Sequence, residues 1–211
     1  MPVVQHPLES LKQFIPENSF EYVVKYIQHY NIHFTVTQKR KTILGDYRHP
    51  LKHKNHRITV NGNLNKYEFL ITFLHELAHL QTFEAFGNRV EPHGIEWKKN
   101  YSNLLVQFIQ LQIFPDNVVK ALQKSINNPS ATASGETELL KVLRTYNTVV
   151  RIGFVTVENI AIGSFFKTDK NRIFKKLEQR RKRFVCEEIS TGRLYAFSPI
   201  AEVMPIQIAT S

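Results

Sequence analysis

The segment His75-Glu76-Leu77-Ala78-His79 restricts this chain more than any other feature, because its chemistry works only on a helix. Successive helical residues turn by roughly 100°, so the two imidazoles stand about 40° apart on one face and can grip a single ion. Glu76 lies at the edge of that face. There it is placed to take a proton from water beside the ion rather than to serve as a ligand. The surrounding text supplies the helix independently. Asn65 and Glu68 form a capping pair, Phe69, Leu70, Phe73, Leu74 and Leu77 recur at helical spacing, and Gly87-Asn88 is a natural stop. The pattern predicts an apolar stripe facing away from the histidines, one side for a core and the other for a cleft.

A third ligand decides which kind of site this is. The metzincin pattern needs a glycine where Thr82 stands and a histidine where Ala85 stands, so it is excluded. A glutamate from a following helix remains open through Glu84, Glu91 or Glu96. The segment Glu91-Pro92-His93-Gly94 offers a better donor, since Pro92 suits the first turn of a new helix running to about Ile113 and puts His93 near its start. Three imidazoles with an open fourth position describe a catalytic zinc site rather than a closed structural one.

The run from His56 to Trp97 carries more than the five-residue motif. Ile58-Thr59-Val60-Asn61 and Asn63-Leu64-Asn65 precede the helix, and Pro92-His93-Gly94 with Glu96-Trp97-Lys98 follow it. Together these resemble the SprT-like domain family, which includes the eukaryotic protease Spartan, from near Leu11 to near Phe114. The resemblance implies a zincin-like fold and DNA-activated proteolysis of proteins crosslinked to DNA. It also implies one Zn2+ on His75, His79 and His93, with Glu76 as the catalytic glutamate. The bacterial type usually ends in a zinc ribbon of paired cysteines. Here Cys186 is the sole cysteine, so no second zinc is expected, and the segments Arg183-Phe184-Val185-Cys186 and Gly192-Arg193-Leu194-Tyr195 look like that tail with its ligands lost.

The chain has 211 residues and a formal charge of +10, an imbalance that favours polyanionic partners. Between Gln38 and Arg57 seven lysines and arginines face the lone Asp46; between Lys167 and Arg183 nine face Asp169 and Glu178. The second run, with Lys175, Lys176, Arg180, Arg181, Lys182 and Arg183, is the candidate nucleic-acid surface, DNA being the expected partner and single-stranded regions included. Most of the aromatics interleaved with it, Phe165, Phe166, Phe174 and Phe184, read as core rather than as a stacking surface. A lone cysteine fits a reducing compartment, the N-terminus lacks a secretory pattern, and no apolar run is long enough to span a membrane; the expectation is a cytoplasmic protein.

The fold expected is α+β: a SprT-like domain over residues 1–127, a linker and helix over 128–148, and a small basic β-rich, barrel-like domain over 149–211. In the first part a helix after Pro16, strands at 32–36 and 57–60 and a basic loop at 45–54 precede the motif helix. The function expected is a zinc metallopeptidase stimulated by DNA. A metallohydrolase with a substrate unrelated to DNA, or a nucleic-acid-binding module with a structural zinc, are the alternatives.

Overall fold

The computed structural model describes residues 8–40, 43–50, 55–127, 129, 137–149 and 151–207. The chain divides into two compact units, residues 1–148 and 149–211. Most of the polar linker expected at 127–135 lies outside the described residues. No helix among them is long and apolar enough to cross a membrane.

The first unit is mixed α/β. Helix α1 (Phe20–His29) buries Phe20, Val23, Val24 and Ile27, a helical spacing that makes one face apolar. Strands β1 (His33–Thr37), β2 (Gly45–Arg48) and β3 (Arg57–Asn61) form a sheet in the order β1-β3-β2, with β1 parallel and β2 antiparallel to the central β3. Ile58 and Val60 of β3 are fully buried. The stretch expected to open a basic loop at Gly45 is therefore the edge strand β2. Its side chains are half-buried or exposed, so the alternation of apolar residues that marks a strand is missing.

Helix α2 (Lys66–Phe86) follows at once. The Asn65 side chain accepts the Glu68 backbone N–H at 3.0 Å, and Gly87 closes the helix at φ 61°. The helix is not one-sided as expected. Ile71, Thr72, Glu76, Ala78, Leu80 and Thr82 are buried along with the predicted stripe, because the sheet covers one flank and α3 (Ile95–Gln110) another. Helix α3 begins two residues later than His93, at a Gly94 N-cap, so Pro92 and His93 occupy the turn before it rather than its first turn. Helices α4 (Asp116–Ile126) and α5 (Thr137–Arg144) complete the unit. Leu139 and Leu143 bring α5 into the same core as Phe69, Phe73, Trp97 and Phe108.

The second unit is a six-stranded sheet in the order β4-β9-β5-β6-β7-β8, built from β4 (Val155–Thr156), β5 (Phe165–Lys167), β6 (Ile173–Arg180), β7 (Arg183–Glu188), β8 (Leu194–Phe197) and β9 (Glu202–Ile206). No pairing among the described residues joins the edge strands β4 and β8, so this β-rich unit is an open sheet and not a closed barrel. Phe166, Phe174, Phe184 and the thiol of Cys186 pack into its core, whereas Phe165 is half-buried outside that cluster. Burial pushes that thiol up to about 11.

Candidate metal centre

Helix α2 and the turn before α3 bring three imidazoles together. The ring centroids of His75, His79 and His93 lie 5.1, 5.5 and 4.6 Å apart pairwise, and one ligand atom from each falls within 4.8 Å of the others. His93 Nε2 is buried with no hydrogen-bond partner among the described residues, a costly state for a ring nitrogen that has no other use. Three nitrogens converging on one point, one of them orphaned, fit a borderline-soft divalent ion such as zinc.

Electrostatics prepares the donors. Burial, then the neighbouring His79 and His93, lowers His75 to about 3; burial, then His93, lowers His79 to about 4; burial lowers His93 as well. All three are neutral near pH 7, the form that binds metal. Trp97 is fully buried with its ring 4.7 Å from His75, 4.7 Å from His93 and 5.3 Å from His79, and Tyr101 lies 5.4 Å from His75. This aromatic floor holds the rings in place and keeps water from the side facing α3.

Glu76 is buried against β2. Burial foremost, then the nearby Asp46, raises its carboxyl to about 8, opposed by the Tyr47 backbone N–H and by Arg40. Arg40 is itself held by its Nε–H donating to Asn61 Oδ1 at 2.7 Å. The strand reaches so close because Gly45 has no Cβ. One placed there would stand 2.7 Å from Thr72 Cγ2 and 2.8 Å from Glu76 Oε1. Next along β2, Tyr47 lies parallel to His79 at 6.5 Å between centroids. Its hydroxyl is 3.0 Å from His56 Nδ1, and His56 Nε2 is 3.1 Å from Glu84 Oε1. A carboxylate only accepts, so in the neutral ring Nε2 carries the proton and Nδ1 accepts from Tyr47. Burial, then Glu84, raises the Tyr47 phenol, which stays protonated.

Residues 11–114, the part that holds every group just described, match the profile of the SprT-like family. This stretch is a SprT-like domain. The family is commonly associated with metallopeptidase activity and is generally zinc-associated. No curated protein and no solved structure matches the chain.

Within the SprT-like domain the structure brings His75, His79 and His93 together, while Glu76, on the same helix as the first two, lays its carboxylate against β2. Glu84 is directed to His56 instead of the centre, and neither Glu91 nor Glu96 enters the metal-ligand cluster. Gly45, Asp46, Tyr47 and Arg40 were missed by sequence reasoning, since they lie in a basic run with no motif. Glycine followed by a tyrosine two residues on was the sole trace of a close-packed edge strand.

The basic residues proposed for nucleic acid belong to the second unit and are not equivalent there. Arg180 pairs with Arg183 across β6 and β7, and Arg181-Lys182 make the turn, so these four form the exposed tip of a hairpin. Arg181 has φ 53°, a conformation that glycine or asparagine adopts more easily. Lys175 is half-buried on the Phe165 side. Lys176 leaves the set. It is 2 % exposed, and its ammonium donates to the carbonyls of Val157, Glu158 and Ile160 and lies over the Phe184 ring. Three carbonyl acceptors offset the burial of its charge, making it a structural clamp.

Proposed function

We propose that the chain is a zinc-dependent endopeptidase with a zincin-like arrangement of its SprT-like domain, stimulated by DNA and acting on proteins bound or crosslinked to DNA. The observation that carries this reading is the convergence of three neutral imidazoles, two of them on the helix that also carries a buried carboxylate of raised proton affinity. His75, His79 and His93 would hold the ion. Zinc in such a site acidifies water and polarises a carbonyl.

The remaining work belongs to the chain. Glu76 takes the proton of the attacking water on a carboxylate oxygen and returns it to the leaving nitrogen. Without a metal the carboxyl is pushed up to about 8 and holds a proton at pH 7; a cation nearby lowers it, freeing the carboxylate to accept a proton from water and give it back. The Tyr47 backbone N–H fixes the carboxylate, and the aromatic floor of Trp97 and Tyr101 keeps His75 from turning. The exposed Arg180–Arg183 hairpin and the charge of +10 support the DNA element of the reading.

A cleavage assay on casein and histone, with and without single-stranded DNA, together with metal content by elemental analysis, tests the whole. The expected result is one zinc per chain and cleavage that rises with DNA. Cleavage indifferent to DNA assigns a hydrolase of unrelated substrate; zinc without any cleavage assigns a structural site. Glu76→Gln is expected to keep its zinc and to lose cleavage by at least about a hundredfold, as removal of a general base does.

A further inference from the structure

The SprT-like domain has a cleft of about 590 Å³ that starts at His93 and runs along the first turns of α3 to the end of α4. It lies within the size range of sites that accept a small ligand or a side chain or two. Its wall includes His93, Ile95, Lys98, Lys99, Ser102 and Asn127. The charged groups of that wall are both lysines, and among the described residues no carboxylate lines it. Ile95 is 78 % exposed, an apolar shelf beside the two ammonium groups. Ser102 is committed elsewhere, its hydroxyl donating to the Ile126 carbonyl at 2.6 Å, which ties α3 to the end of α4 and fixes the far wall.

Building on the endopeptidase reading, we infer that this cleft is a specificity subsite that takes the carboxylate side chain of an Asp or Glu flanking the scissile bond. A peptide whose reacting carbonyl lies at the three imidazoles advances at most about 3.6 Å per residue, so a near neighbour's side chain reaches the wall that His93 begins. An acidic side chain matches that wall in both parts: its methylenes meet Ile95, and its carboxylate meets the exposed Lys99, with Lys98 adding to the positive potential. A nucleic-acid strand is the poorer occupant. It needs a continuous cationic track, and this is a short concavity with two cations in its wall.

The test uses zinc-loaded Glu76→Gln protein and fluorescein-labelled peptides, neutral except for one position occupied in turn by Glu, Gln or Lys and moved along the sequence. Anisotropy is expected to find a position where Glu binds roughly fivefold more tightly than Gln, the size of a partly exposed ion pair, with the gap closing as salt rises. Charge reversal by Lys98→Glu with Lys99→Glu is expected to invert the order, so that the Lys peptide binds best. Lys99→Gln alone, at an exposed position, gives a partial loss of preference should the double variant not fold. The protein with Glu76 intact is expected to cleave the same peptides in the same order, the difference residing in KM. Equal binding of the Glu, Gln and Lys peptides at every position overturns the subsite. So does a preference that survives charge reversal, or a reversal that weakens binding of a single-stranded oligonucleotide and leaves the peptide order intact. Ordered binding with no cleavage sinks the endopeptidase reading and keeps the subsite, whereas cleavage without order does the converse.

Discussion

At the scale of the residue, the centre sets two opposed pH dependences in the metal-free protein. His75 and His79 titrate far below the ordinary 6.5, at about 3 and 4, so the folded state binds fewer protons than the unfolded chain in that interval. Their stabilising contribution is present above about pH 6.5 and is lost as pH falls. Glu76 is displaced the other way, from 4.5 to about 8, so its contribution is present below 4.5 and is lost as pH rises through 8. Between pH 4.5 and 6.5 two imidazoles outweigh one carboxyl; above 6.5 the carboxyl acts alone. These groups therefore place the stability maximum of chelator-treated protein near pH 6.5. Thermal melts of Glu76→Gln and of the parent, both stripped of metal, are expected to diverge in favour of the variant as pH rises from 5 to 8. Parallel curves would show that Glu76 ionises normally in the folded state. Gly45 acts on the same carboxylate through sterics. Gly45→Ala puts a methyl 2.7 Å from Thr72 Cγ2 and 2.8 Å from Glu76 Oε1, so β2 must lift or the carboxylate must move. Overpacking of this kind costs roughly 1–3 kcal/mol. The expected signature is a lower melting temperature and a fall in kcat larger than any change in KM.

At the scale of the element, the start of α2 joins two parts of the first unit. Asn65 Oδ1 caps the helix, while its Nδ2 donates to the Leu143 carbonyl at 2.9 Å and to Asn147 Oδ1 at 2.8 Å, past the end of α5. Asn65→Asp keeps the cap and loses the donors; Asn65→Ala loses both. The expected order of stability is parent, Asp, Ala, with the Ala variant down by roughly 1–2 kcal/mol in a denaturant melt. A cost to Ala no greater than to Asp would mean that the cap contributes nothing. This element also shows what the sequence made legible. The cap, the stop at Gly87 and the two motif histidines are local signals, and they placed α2 and half the centre. What depends on distant parts of the chain left no such trace. Edge strand β2 alternates too weakly to read, and α2 looked one-sided because a second buried flank faces α3 through Thr82, a residue that no pattern marks as apolar, whose hydroxyl accepts from Asn100 Nδ2 at 2.9 Å. Lys176 was misjudged for the same reason. In a cationic run every lysine looks alike, and only the carbonyls of Val157, Glu158 and Ile160 set it apart.

At the scale of the whole molecule, the imidazole centre and the cationic hairpin sit in different units. The imidazoles, Glu76 and β2 belong to residues 1–148, the Arg180–Arg183 hairpin to residues 149–211. The division predicts that the two properties can be lost separately. At the hairpin tip Arg180 Nε–H donates to Glu178 at 2.6 Å, so part of its charge is spent within β6, and Arg181, Lys182 and Arg183 are the groups left to meet phosphate. A protein that neutralises phosphates releases counterions, and on a single strand each phosphate no longer neutralised flattens the slope of log affinity against log salt by about 0.7. Replacing Arg181, Lys182 and Arg183 with Gln is therefore expected to flatten the slope for a single-stranded oligonucleotide by about 2. Affinity at low salt should drop with it, and zinc content should remain at one per chain. Arg181→Gly distinguishes charge from turn geometry, because glycine relieves the positive φ while removing one cation. It is expected to raise the melting temperature and still weaken DNA binding. A triple variant with an unaltered salt slope would move the polyanion site off this hairpin, leaving the first unit's own basic run, from Gln38 to Arg57, as the surface to test next.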